Sequence, residues 1–335
     1  MTKKILLSHG SGGMMMHKLI NETILKKFSN PFLNKLNDQA LFELDGAKLA
    51  FSTDSYVVDP IFFSGGNIGD IAVNGTVNDI AMCGAKPFYL SVGFIIEEGF
   101  DIEDLNRILD SIANAAKKAD VMVVTGDTKV VPKGKADKIF INTSGIGVAP
   151  KDLNISGDNV KVGNKIILSG TIGDHGMTVL TEREGISIKG NLRSDSMALS
   201  KLTEKMLKYT KKINCMRDPT RGGVATTLNE IAVQSNVGIV IYENKIPVRE
   251  SVKASCEILG FDPLYVANEG KLLAFVDSDV AEGLLEVMSS TEEGRDACII
   301  GEVVTDHTKK VVMNTGLGGS RVVSMLTGEL LPRIC

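Results

Sequence analysis

No run of apolar residues in this 335-residue sequence approaches the ~20 needed to cross a bilayer. The opening Met1-Thr2-Lys3-Lys4-Ile5-Leu6-Leu7 meets Ser8, His9 and Gly10 too soon to form the apolar region of a signal peptide, so a cytoplasmic protein is expected. There is no basic stripe either. The formal net charge is −4 and the lysines are scattered, which argues against a nucleic-acid binder and favours a small-molecule ligand. The five cysteines, Cys83, Cys215, Cys256, Cys298 and Cys335, include no CxxC pair, which removes the usual zinc-site pattern and suits reduced thiols. A Walker-type GxxxxGK[ST] is absent. The glycine-rich Gly10-Ser11-Gly12-Gly13 fails the dinucleotide pattern because Met15 stands where GxGxxG needs its third glycine.

What is present is ordinary globular composition, 43% apolar and 23% charged, over a length that suits two domains. The first half mixes strand and helix patterns. Ile5–Leu7 reads as a short strand, Met14–Phe28 as a helix, Lys48–Thr53 as a strand ending at Asp54, and Ile68–Cys83 as a helix weakened by its asparagines and Gly75. Pro87–Ile96 reads as a strand, Ile102–Ala119 as an amphipathic helix opened by Asp101, Val121–Val124 as a buried strand and Lys138–Val148 as another strand. Residues 149–163, with Pro150, Gly157 and little periodicity, mark a boundary. Beyond them the mixture repeats: strands at Lys165–Ser169, Val237–Tyr242, Lys271–Val276 and Ala297–Val304, and helices at Gly173–Glu184, Ser194–Lys208, Gly222–Ser235 and Val280–Met288. The expected class is α/β (α+β), with mixed sheets covered by helices in two domains, residues 1–149 and 150–313. A Gly-containing tail, 314–335, is expected to be extended and mobile, and Cys335 terminates it where a side chain is normally exposed.

Acidic residues recur at strand ends and in Gly- or Asn-rich turns. Asp54 closes a strand, Asp79 lies in Asn78-Asp79-Ile80-Ala81-Met82, Asp127 follows Thr125-Gly126, and Asp218 opens Asp218-Pro219-Thr220-Arg221-Gly222-Gly223. Carboxylates gathered from separate elements repel unless a cation lies among them, and hard oxygen donors suit magnesium bridging to phosphates. Each Asp singly is more often a cap or turn residue; the recurrence with glycine and a basic residue is what points to an ATP site. Backbone N–H groups of the Gly10–Gly13 loop could hold a phosphate there. Lys129 and Glu269 are candidates for balancing phosphate charge and for moving a proton, with a surface cation and a turn carboxylate as the plain alternatives. His9 and His17 stay open between ligand contact and packing.

Seven motifs in order, Ser8-His9-Gly10-Ser11-Gly12-Gly13, Ser52–Val58, Val77–Met82, Thr125-Gly126-Asp127-Thr128-Lys129, Asp218–Gly223, Asn268-Glu269-Gly270-Lys271 and Pro332-Arg333-Ile334-Cys335, together resemble the HypE family of hydrogenase maturation factors. The glycine and aspartate motifs are shared with the wider aminoimidazole ribonucleotide synthetase-like superfamily; the Pro-Arg-Ile-Cys ending is the specific element. The resemblance implies a homodimer binding ATP and Mg2+, a carbamoyltransferase partner, HypF, that loads a carbamoyl group on Cys335, and a HypC–HypD complex that receives the cyano group. It implies ATP-dependent dehydration of that thiocarboxamide to a thiocyanate, the source of the cyano ligands of nickel–iron hydrogenase. In that scheme Gly10, Ser11, Gly12, Gly13 and Asn78 contact the nucleotide, and Asp54, Asp79, Asp127 and Asp218 hold magnesium and phosphates. Glu269 takes a proton, Lys129 relays it or stabilises the iminophosphate, and Cys335 is the swinging carrier, its approach restricted by Pro332 and its thiolate available at neutral pH. The competing readings are phosphorylation of a free small molecule, as in selenophosphate synthetase or thiamine-phosphate kinase, and a carrier without catalysis. The first is weakened because the first cysteine is Cys83, outside the N-terminal glycine region.

Overall fold

The computed structural model describes residues 4–188, 190–328 and 333–335. Near the N-terminus a turn of 3-10 helix at Leu7–Gly10 stands where a strand is expected, and its apolar neighbours Ile5, Leu6 and Leu7 face solvent. Helices α1 (Met14–Leu19) and α2 (Leu25–Phe28) follow, joined through a π-helical turn at Ile20–Ile24.

The first sheet contains β1 (Ala40–Leu44), β2 (Ala47–Tyr56), β5 (Lys86–Glu97), β6 (Met122–Val131) and β7 (Ile139–Ala149), in the order β1-β2-β7-β5-β6. A two-stranded ribbon, β3 (Phe62–Phe63) with β4 (Gly66–Asn67), leads into helix α3 (Ile68–Ala81). Helix α4 (Ile102–Ala119) starts and stops as its pattern predicts: Asp101 accepts from the Glu103 N–H at 2.7 Å, Asp120 ends it in the left-handed region, and Ile108, Ile112, Ala115 and Ala119 bury one stripe.

The polar residues that weaken the α3 pattern have tertiary partners. A Cβ at Gly75 would lie 2.3 Å from the Tyr56 hydroxyl, so only glycine lets α3 approach β2 there. Asn74 donates to Ser196 Oγ at 3.0 Å, while Asn78 donates to the Met197 carbonyl at 3.1 Å and accepts from the Leu199 N–H at 2.7 Å. These asparagines tie α3 to the second half of the chain. The same helix buries Ile68, Ile71, Ala72 and Val73 in a core that also takes in Met177, Val252 and Val266.

The expectation of a buried strand at Val121–Val124 is corrected. Strand β6 runs parallel to β5 at the sheet edge, with Met122, Val124 and Val130 each more than half exposed. A β-branched apolar run looks the same in sequence whether its own chain covers it or not.

The second sheet has seven strands: β8 (Lys165–Leu168), β9 (Ile213–Arg217), β10 (Gly238–Tyr242), β11 (Leu273–Val276), β12 (Cys298–Val304), β13 (Val311–Asn314) and β14 (Ser320–Val323), in the order β14-β13-β10-β12-β8-β11-β9. Helices α5 (Asp174–Arg183), α6 (Ser200–Tyr209), α7 (Gly223–Gln234), α8 (Glu250–Leu259) and α9 (Ala281–Ser289) complete it. Helix α6 begins six residues later than its pattern suggests, because Ser194, Asp195 and Ser196 are engaged in side-chain bonds described below. Part of the expected tail is ordered sheet: β14 pairs antiparallel with β13. No helix among the described residues is long and apolar enough to cross a membrane.

Candidate active site

The acidic cluster forms where four separated elements meet. Asp38 precedes β1, Asp54 lies inside β2, which runs on to Tyr56, Asp79 is in the last turn of α3, and Asp218 directly follows β9. Asp38, Asp79 and Asp218 each present a carboxylate oxygen within 4.8 Å of the others. Ser52 holds Asp79 through a 2.5 Å hydrogen bond, and Tyr56 reaches Asp54 at 3.4 Å. Arg217 pairs with Asp38 and with Glu230, each at 2.9 Å, and Glu230 also meets His17 at 2.8 Å.

Burial and mutual repulsion raise the carboxyl pKa values here. Asp79 is pushed well up by burial and then by Asp54, Asp218 and Asp38; Asp218 by burial and Asp38. Asp38 is lifted from 3.8 to about 6, since burial outweighs the attraction of Arg217, and its Oδ2 has no hydrogen-bond partner. An all-oxygen set with an orphaned buried carboxylate oxygen fits a magnesium ion. Ionising Asp38 inside the fold costs free energy, because the folded chain keeps that proton up to about pH 6 whereas the unfolded chain releases it near 3.8. Without metal, stability therefore falls as pH rises through that window. Magnesium chloride is expected to raise the thermal melting midpoint at neutral pH and to lose that effect below about pH 5, where the carboxyls are protonated. An equal rise at both pH values, in a melting series with and without the salt, would show that the cluster does not bind it.

The glycine loop folds against Arg221, Leu326 and Gly328. A Cβ on Gly12, which sits at φ +79°, would lie 2.7 Å from the Arg221 carbonyl oxygen, and one on Gly13 2.4 Å from that of Leu326. The Met14 N–H donates to the Leu326 carbonyl at 2.9 Å, and the Ser11 hydroxyl reaches the carbonyls of Ser8 and Gly328, both at 3.0 Å. Gly10 has open space around it.

Glu269 is 3% exposed and its Oε1 is unpartnered. Burial first, then Asp195, Asp218 and Asp54, hold its carboxyl well above the usual range. Its backbone N–H donates to Asp195 Oδ1 at 3.2 Å, while Lys271 pairs with Asp195 at 3.0 Å. A Cβ on Gly270 would collide with the Asp195 carbonyl oxygen at 1.9 Å, so this turn requires glycine. Asn268 ties the turn to the aspartate–proline loop, accepting from the Gly173 N–H and donating to the Pro219 carbonyl, each at 2.8 Å.

Cys335 is half-buried beside Arg221, Glu269 and Asp54 rather than exposed at a free end. Its thiol is pushed up to about 12 by burial, with Arg221 pulling the other way. The expected supply of thiolate at neutral pH is therefore corrected for this docked position: a sulfur deprived of water holds its proton. Pro332 lies outside the described residues. Cys83, Cys215 and Cys256 are buried, and Cys298 is half-buried.

Within one chain Asp127 and Lys129 are not brought to this cluster. They form an exposed ion pair at 2.6 Å on β6, where Lys129 holds the Asp127 carboxyl below its usual range. The register Asp127–Gly93, Gly93–Asn142, Asn142–Ser55 places them three strands across from β2. Asn78 is occupied by the contacts between α3 and residues 197–199. Among the described residues, His9 bonds only to nearby Leu6.

Sequence reasoning missed Asp38, Arg217 and the Asp195–Lys271 pair, and gave no role to Arg221. Asp38 sits in Asn37-Asp38-Gln39 without glycine or periodicity, and Asp195 sits in a stretch read as helix. The Asp-Pro-Thr-Arg-Gly-Gly motif was the one signal that could have singled out Arg221.

The model for the AIR synthase related protein, N-terminal domain, matches residues 36–149, and that for its C-terminal domain matches residues 161–314. The chain is 54% identical over 327 residues to the carbamoyl dehydratase HypE of Azotobacter vinelandii, covering 98% of this chain and 96% of that one. A crystal structure of a HypE–HypF complex contains a chain that superposes with TM-score 0.88 at 51% identity, covering 92% of this chain and 99% of that one. A crystal structure of HypE in complex with ATP superposes with TM-score 0.84 at 50% identity, covering 99% and 100%.

Proposed function

This chain belongs to the family of HypE carbamoyl dehydratases, built on the AIR synthase related fold, and from that premise we propose that it uses ATP to dehydrate a carbamoyl group carried on Cys335 to a thiocyanate. The observation that carries the reading is the convergence of Cys335, Glu269 and Arg221 beside the Asp38, Asp79 and Asp218 cluster, although these residues are scattered over the length of the chain.

The amide oxygen is a poor leaving group as hydroxide. It attacks the terminal phosphorus of ATP, and ADP departs. Glu269, as a carboxylate with a free Oε1, takes the first proton from the carboxamide nitrogen. The second proton passes to an oxygen of the departing phosphate, and the nitrogen electron pair completes the carbon–nitrogen triple bond as the carbon–oxygen bond breaks. Arg221 holds positive charge facing Cys335, Asp54 and Glu269, where the phosphorylated intermediate gathers negative charge. Asp38, Asp79 and Asp218, with Asp54 beside them, would hold magnesium, whose charge screens the triphosphate. A dry site also keeps water from hydrolysing the phosphorylated amide.

Residues 1–149 are assigned ATP binding and dimerisation and the second domain the rest of the site; because the sheet of that domain runs on through β14, the carrier tail is the segment beyond Val323 and not all of 314–335. The exposed apolar edge of β6 suits pairing with a second copy, and Asp127 and Lys129 would then join a site across the homodimer. Mixing Glu269→Gln and Lys129→Met chains is expected to restore part of the activity that each variant lacks; no restoration in exchanged dimers would confine catalysis to one chain. The high thiol pKa of docked Cys335 requires loading by a HypF-type carbamoyltransferase with the tail undocked, and a HypC–HypD-type acceptor would then take the cyano group. Intact-mass analysis tests the central claim. Protein carbamoylated on Cys335 should lose the mass of one water when given ATP and magnesium; a persisting carbamoyl adduct with ATP unconsumed would leave only a carrier.

A further inference from the structure

The last three residues are held through their main chain as well as through the Arg333 side chain, whose Nε donates to the Val57 carbonyl at 2.8 Å and whose guanidinium pairs with Asp137. The Arg333 carbonyl accepts from the Asp59 N–H at 3.2 Å and from Arg183 Nη2 at 2.7 Å. The Ile334 carbonyl meets His175 Nε2 at 2.7 Å, and the Cys335 backbone oxygen accepts from the Val57 N–H at 3.0 Å. Every one of the three residues has a carbonyl in use. Arg183 also donates to the Asp59 carbonyl at 2.6 Å, and Ile334 is buried at 3% exposure, which fixes the register from the other side.

His175 has no exposed surface, and both of its ring nitrogens are committed. A carbonyl can only accept, so Nε2 carries the hydrogen and Nδ1 accepts from the Ser194 hydroxyl at 2.8 Å. Ser194 in turn accepts from the Ser196 N–H at 3.2 Å, and the Phe63 ring meets the imidazole edge-on with centroids 5.4 Å apart. The residue between these serines is Asp195, which receives the Glu269 N–H and pairs with Lys271. One tripeptide thus touches both the support of the carrier tail and the support of the buried base. Burial keeps His175 neutral despite the pull of Asp195, the form in which Nδ1 can accept.

We propose that His175 and Ser194 are positioning residues which, together with Arg183, clamp the main chain of the terminal tripeptide and set Cys335 in register with Glu269 through the shared Ser194-Asp195-Ser196 loop. The clamp deepens the dehydratase reading and rests on it for its purpose, but its test does not. With neither ATP nor carbamoyl donor present, Cys335 is labelled by N-ethylmaleimide, and its rate is compared by peptide mapping with that of half-buried Cys298 in the same sample. His175→Ala removes the hydrogen bond to the Ile334 carbonyl and Ser194→Ala the one that orients the imidazole, so the Cys335-to-Cys298 labelling ratio is expected to rise about fivefold to tenfold in each. His175→Gln, which keeps a donor of similar reach, is expected to restore a near-native ratio. General loosening would raise both rates together and leave the ratio unchanged. An unchanged ratio in variants that melt like the parent would overturn the clamp. If His175→Ala does not fold, Ser194→Ala and the partly exposed Arg183→Gln carry the same measurement with the same expected and overturning results. A failed dehydratase reading would show instead as a carbamoyl adduct stable to ATP in the unmutated protein, whatever the labelling ratio.

Discussion

Cys335→Ala protein is expected to bind ATP with near-native affinity and to form no detectable cyano group. The expected loss is complete, not graded, because the substitution removes the atom to which the proposed reaction bonds the cargo. The other thiols offer no substitute: Cys83, Cys215 and Cys256 are buried, and Cys298 bonds to the Lys245 carbonyl away from the acidic cluster. Nucleotide binding should persist because the glycine loop is held by Leu326 and Gly328, upstream of the terminal residue, and the acidic cluster does not include it. Calorimetric ATP binding beside mass analysis of the carbamoyltransferase reaction checks both halves. Cyano-group formation in the variant would remove Cys335 as carrier, and loss of ATP binding would give the terminus a structural role.

Glu269→Gln is expected to slow dehydration by about 10²- to 10⁴-fold, the usual contribution of a positioned general base, while carbamoylation and ATP binding continue. Glutamine keeps the shape but cannot take a proton. The raised pKa of Glu269 gives this prediction a pH signature. In the parent protein, single-turnover dehydration should increase with pH through a pKa above the ordinary carboxylate range, and that limb should vanish in the variant. The folded-state pKa lies above the unfolded one, so ionised Glu269 costs stability as pH rises; the variant should melt no lower than the parent at neutral pH. Rapid-quench measurement of carbamoyl and cyano forms against pH settles it, and a parent-like rate and profile would rule out Glu269 as the base.

Much of the fold was legible because local rules settle it. Helix α4 has a cap, an amphipathic stripe and a left-handed end within its own residues, and its bounds follow from them. Strand β6 shows the opposite case, since its apolar run says nothing about whether the same chain covers it. The segment 194–199 has a helical pattern, yet Ser194, Asp195 and Ser196 bond to His175, Glu269 and Asn74 instead. Short polar side chains that find distant partners override a weak local preference.

The candidate site divides in the same way. Asp54 closes an apolar strand run, and Asp79, Asp218 and Glu269 lie in glycine- or asparagine-bearing motifs, so their order along the chain was visible in the sequence, as was a cysteine at its end. Asp38, in Asn37-Asp38-Gln39, has no glycine beside it and ends no apolar run, and it joins the cluster only because the approach to β1 passes the end of α3 and the loop after β9. The sequence by itself determined the family, the acidic and glycine motifs and the position of the terminal cysteine proposed as carrier, because these reside in residue types and short spacings. Only the tertiary structure decided that Arg221 faces Cys335, that the docked thiol keeps its proton, and that Asp127 and Lys129 stand apart on an exposed edge. Those outcomes depend on burial and on charges brought close from distant parts of the chain, and neither quantity exists before the chain folds.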